Sequence, residues 1–147
     1  MAERVFEDDF MDVQSGLVSL CLEATEGIDV ELVYIYGSIE GNMTSFNTFF
    51  RVSGAVRGLT EVVTDRSIAW QVLDLGTEDL GKLRTLCERY GQPCPTQIRG
   101  RYDAVSGGYK ASYSYDAIVN DEENGISPAT AFDTWMDNVE SGEDDLA

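Results

Sequence analysis

The sequence contains no histidine. That removes the commonest general base and the commonest transition-metal ligand, so Ser-His-Asp and Cys-His mechanisms are excluded. Cysteine is scarce: Cys21, Cys87 and Cys94 form no CxxC pair. Their odd number and irregular spacing argue against a disulfide framework, and they read as small buried apolar residues. No apolar run approaches the roughly 18–20 residues that span a membrane, and the acidic N-terminus is the opposite of a secretory leader. The expectation is a cytoplasmic protein. GxxxxGK[ST], GxGxxG and GxSxG motifs are all missing, so phosphate-loop, dinucleotide and nucleophile-elbow chemistries have no foothold.

Cations are also few. Two lysines and eight arginines face 27 acids, for a net charge of −17. Such a field repels nucleic acid and favours basic partners. A salt-adapted proteome would give the same composition, and both readings stand at this point. The charge is uneven: residues 1–81 carry −11, residues 82–110 carry +4 and residues 111–147 carry −10. A polarised molecule is expected unless folding interleaves these segments.

What is present reads as one α+β domain spanning residues 1–147, a length able to bury a core. Phe10, Val13, Leu17, Leu20 and Ala24 recur at helical spacing behind an acidic start, predicting a helix over 8–24. Residues 30–39 are rich in β-branched and aromatic side chains and read as a strand. Gly41-Asn42 marks a turn into a second strand over 43–52, and residues 55–63 read as a third, interrupted by Gly58. Residues 67–75 are ambiguous, at most a helical turn. Thr77 reads as an N-cap for a helix through Tyr90, ended by Gly91 with Pro93 and Pro95 beyond. Residues 96–103 and 109–118 alternate around Ser106-Gly107-Gly108 as a hairpin with one wet face. Ser127-Pro128 opens a last helix with Phe132, Trp135, Met136 and Val139 as its apolar stripe, followed by a frayed acidic tail from about residue 141. The predicted order is α-βββ-α-ββ-α, an antiparallel sheet with helices packed on it.

The stretch VYIYGSIEGN, Val33 to Asn42, begins like the active-site strand of a polymerase-beta-like nucleotidyltransferase. That chemistry needs carboxylates to hold divalent metal against the phosphates. Met43 to Thr48 supplies none, and Glu40 alone cannot clamp two metals. Asp121-Glu122-Glu123-Asn124-Gly125 lacks the alternating ligands of a calcium loop and reads as a solvated acidic loop. Two enzymatic openings remain: Cys94, exposed-looking between two prolines, and a carboxylate pair of Asp103 and Asp116 on neighbouring strands. The tyrosine stripe of Tyr109, Tyr113 and Tyr115 reads as core-facing rather than as a base-stacking platform.

The order from Leu80 onward adds a resemblance. A leucine-spaced helix ends in Tyr90-Gly91-Gln92-Pro93; a strand runs to Tyr102-Asp103; an aromatic strand closes in Tyr113-Ser114-Tyr115-Asp116; a helix centres on Trp135. With Tyr34 and Tyr36 in the first strand, this is similar to the YezG-type immunity proteins, bacterial antitoxins paired with secreted polymorphic toxins. The resemblance covers most of the chain, but residues 67–75 and the acidic tail have no counterpart in it. It implies a non-catalytic, cofactor-free binding protein that neutralises a basic nuclease toxin, as a monomer or homodimer, with no nucleic acid or membrane partner. The expected interface is a set of exposed acids: Asp74, Glu78, Asp79, Asp121, Glu122 and Glu123. An acidic adaptor and a small enzyme built on Cys94 or Asp103/Asp116 are the alternatives. Tyr34 and Tyr36 are expected to tie the N-terminal meander to the tyrosine-rich hairpin.

Overall fold

The computed structural model describes residues 5–120, 123 and 125–143. Its centre is a five-stranded antiparallel sheet in the order β3-β2-β1-β4-β5. The strands are β1 (Val30–Glu40), β2 (Met43–Val52), β3 (Ala55–Gly58), β4 (Gln97–Asp103) and β5 (Tyr109–Ser114). The helices are α1 (Phe6–Ala24), α2 (Leu59–Val62), α3 (Arg66–Tyr90) and α4 (Pro128–Ser141). The α+β class and the antiparallel meander-plus-hairpin plan follow the sequence pattern. The expected fraying from about residue 141 concerns mostly residues 144–147, which lie outside the described residues.

Each tight turn has the residues its backbone demands. Gly41 has φ +57 at the first loop position between Glu40 and Met43, where a type II′ hairpin needs a left-handed residue. Ser53 and Gly54, at φ 52 and 77, close the β2–β3 hairpin with two positive angles, as type I′ requires. At Gly91, φ +64 ends α3 and its amide bonds back to Cys87 and Glu88.

The period-2 alternation of the strands divides the core between the two faces of the sheet. Val33, Ile35, Ile39, Phe46, Phe50 and Ile98 face α1 and α3. The α1 residues Leu17, Val18 and Cys21 and the α3 residues Ala69, Val72, Leu80, Leu83 and Cys87 complete this larger cluster. Gly76 lets α3 lie against β2, because a Cβ there would collide with the Phe46 ring. Buried Gln14 of α1 accepts hydrogen bonds from the hydroxyls of Tyr109 (2.6 Å) and Tyr113 (3.1 Å), fastening β5 to the first helix. On the opposite face, Tyr34 stacks on Phe49 at 4.4 Å, and Trp135 of α4 meets both rings edge-on. Ser127 caps α4 by accepting from the Thr130 amide, with Pro128 in the first turn.

Five expectations change. Residues 67–75 are not a separate turn: α3 is one helix of 25 residues, capped by the Asp65 carboxylate on the amides of Ser67 and Ile68. Thr77 lies inside it and donates to the Leu73 carbonyl rather than capping anything. The third strand stops at Gly58, whose amide donates to Glu61 as the chain turns into α2; this local capping overrides the β-propensity of Val62 and Val63. The last strand ends at Ser114 rather than Ile118, leaving Tyr115 exposed and off the stripe. Tyr34 and Tyr36 point away from Tyr109 and Tyr113, so they tie the meander to α4 instead. The Tyr36 hydroxyl still reaches the hairpin, through Gln97 at 2.9 Å.

Candidate interaction surface

The buried stripe of α3 (Ala69, Val72, Gly76, Leu80, Leu83, Cys87) fixes what the opposite side of the helix presents. Trp70, Asp74 and Glu78 follow one another at i, i+4 spacing and all project outward. Asp65, the N-cap, continues the acidic line at the helix start. Between Arg66 and Lys82 the helix carries three acids and no cation. Trp70 is 65% exposed and lies over a groove of about 370 Å³ walled by Thr60, Ala69 and Leu73, with Arg66 at its edge. On the other flank, Ile68 and Leu75 are partly exposed along a second groove against Leu20 and Ala24 of α1. Further down the same α1–α3 seam, Glu78, Asp9 and Asp12 line a groove of about 630 Å³ that ends in Lys82 and Arg89.

The acids singled out in the sequence are thus divided. Asp74 and Glu78 share the outer face of α3. Asp79 is half-buried and pairs with Lys82 Nζ at 3.4 Å, so it does not stand free on that face. Glu123 is exposed, in the loop that leads to α4, while Asp121 and Glu122 lie outside the described residues. Trp70 falls within residues 67–75, where the sequence pattern alone is ambiguous. Extending the apolar stripe backward from Leu80 through Gly76, Val72 and Ala69 would have set it on the exposed side.

The cationic segment is split: Lys82, Arg84 and Arg89 stay on the C-terminal half of α3, and the other three cations lie on the other face of the sheet. Arg99, Arg101 and Lys110 share the outer side of β4 and β5, beside α4. The Arg99 guanidinium sits 5.8 Å from the Trp135 ring, a cation–π contact. With its amide nitrogen donating to the Tyr36 hydroxyl, Gln97 turns its oxygen to accept from the Arg99 guanidinium. The basic strip shares its face of the sheet with α4, which carries Asp133, Asp137 and Glu140, so folding interleaves the charged segments instead of polarising the molecule.

The structure bears on both enzymatic openings. Cys94 is half-buried and packed against the main core, with its thiol beside that of Cys87. Burial pushes the Cys94 thiol up to about 12, with the neighbouring Cys87 adding to the rise, and Arg84 opposes this too weakly to restore a thiolate. A protonated thiol is a poor nucleophile at neutral pH. Asp103 accepts from the amides of Val105 (2.9 Å) and Ser106 (3.1 Å), which closes the β4–β5 turn and holds its carboxyl below the usual range. Asp116 lies past the far end of the same hairpin, where Thr96 donates to its carbonyl. About 20 Å of strand separates the two, so they form no pair. Among the described residues no group of three His, Cys, Asp or Glu side chains is placed to hold a metal ion, and no helix is long and apolar enough to cross a membrane.

No protein-family model matches the chain, and no curated protein matches it.

Proposed function

We propose that this chain is an immunity protein, which binds a basic nuclease toxin domain in the cytoplasm and blocks it by covering its phosphate-binding surface. The observation that carries this reading is the outer face of α3, where Asp74 and Glu78 stand exposed in a run without a single cation. A nuclease must hold phosphate, so its active surface is cationic; an acidic surface matches it and accelerates encounter. The net charge of −17 works in the same direction over the whole molecule. The aromatic and turn residues that resemble the YezG-type family, Tyr34, Tyr36, Tyr102, Tyr113 and Trp135 among them, give the reading its second support. Stoichiometric binding asks for no histidine, metal or cofactor.

Co-expression tests it. Toxin domains encoded beside this gene are expressed in a host with the chain or with an empty vector. Protection by the chain, with a complex on a sizing column that dissociates as salt is raised, is the expected result. Equal killing in both strains and no complex at low salt would sink the proposal.

A further inference from the structure

We infer that the N-terminal half of α3 is the docking surface, with Trp70 as its anchor and an arginine-bearing protein surface as its occupant. This rests on the binding function proposed above. The starting point is the contrast between the two tryptophans: Trp135 is 1% exposed and Trp70 is 65% exposed. The fold does not need an indole at position 70. The inward face of α3 is already complete in Ala69, Val72 and Gly76. An exposed tryptophan beside an apolar groove of about 370 Å³ is the kind of anchor that dominates protein–protein binding.

Charge decides the occupant. Asp74 lies one helical turn from Trp70 on the outer face and Glu78 two turns, while Arg66 is the charged residue that lines the groove itself. An apolar or acidic partner would bury these carboxylates unpaired, which is costly. An arginine satisfies both features at once: its guanidinium stacks on the indole face while its outer nitrogens pair with Asp74 or Glu78. The protein uses the same chemistry internally, where Arg99 lies over Trp135. The acidic first turn of α1, with Glu7, Asp8 and Asp9, has no exposed tryptophan beside it.

Two experiments test this separately from the immunity function. In the first, the chain is titrated with a nine-arginine peptide while acrylamide quenching of tryptophan emission is followed. Trp135 is shielded, so quenching reports Trp70. Peptide should lower the quenching constant at least about threefold in the wild type, and the protection should vanish in the Asp74→Lys/Glu78→Lys variant. Quenching unchanged by saturating peptide overturns the docking surface. In the second, Trp70→Ala is compared with wild type for binding the neighbouring toxin domain. Affinity should fall by about thirtyfold or more, with an unchanged melting temperature. Full affinity in Trp70→Ala overturns the docking surface and leaves the immunity function standing. Failure of the wild type to bind any such domain removes the immunity function, and the peptide experiment then decides the surface on its own.

Discussion

At the scale of single residues, Gly76 shows how a general rule reverses in context. In an exposed helix, glycine to alanine gains roughly 1 kcal/mol. In α3 the new methyl would collide with the Phe46 ring, which is itself locked between helix and strand. We expect Gly76→Ala to lose about 2 kcal/mol net, because overpacking outweighs propensity. Urea denaturation would show it as a lower midpoint at unchanged slope. The same glycine explains part of what the sequence concealed. A stripe running Ala69, Val72, Gly76, Leu80 is hard to see when its middle position has no side chain. Thr77 next to it then looks like a cap, although its hydroxyl is spent on the Leu73 carbonyl. The exposure of Asp74 and Glu78 was legible, since they need only be polar and outside the stripe. Trp70 was not, because its exposure depends on a helix whose first half was unread.

At the scale of elements, one carboxylate gathers three amides of the connection from β5 to α4. Glu40, at the end of β1 and only 6% exposed, accepts from the amides of Ile118 (3.0 Å), Val119 (2.6 Å) and Asn120 (3.3 Å). Three partly buried amides lose their acceptor in Glu40→Ala, and we expect a loss of about 2 kcal/mol. Hydrogen exchange at residues 118–120 should accelerate before exchange in β1 or β4 does; equal acceleration everywhere would mean the carboxylate supports the whole fold instead. No local pattern announces such a clasp, since its partners lie 78 to 80 positions apart in the chain. Turns and caps were legible for the opposite reason. Gly41, Gly91 and Ser127-Pro128 act on their immediate neighbours, so their chemistry is written next to the structure it makes. The choice of sheet face for Tyr34 and Tyr36 depends on α4, almost a hundred residues later, and propensity cannot see it.

At the scale of the whole molecule, burial sets an alkaline limit. It raises the Cys21 and Tyr36 groups to about 12 each and pushes Tyr109 up as well. In the unfolded chain these groups ionise near their ordinary values of 9.0 and 10.0. A raised native pKa means the folded state keeps protons that the unfolded state has released, so unfolding is favoured as pH rises. Stability from these groups is complete below about pH 9 and is lost progressively toward pH 12. A series of thermal melts from pH 7 to 11 should therefore show a falling melting temperature above pH 9. The variant Tyr109→Phe, which keeps the ring but has nothing to ionise, should fall less steeply. It also gives up the bond to Gln14, so its plateau at neutral pH should lie lower.

The strand order carries a consequence for how the chain is made. The middle strand β1 is flanked by β2, its neighbour in sequence, and by β4, which is synthesised only after all of α3. A ribosome that has released residues up to Val63 has therefore delivered α1 and the three-stranded meander with one side of β1 still unpaired. That side runs along VYIYGSI, among the most apolar segments of the protein, with no charge from Val33 to Ile39 to discourage a second copy from pairing there. The growing chain passes through a sticky stage that ends when residues 97–103 emerge. A fragment stopped short of β4 should aggregate through that strand, and slow translation of α3 would lengthen the interval of risk.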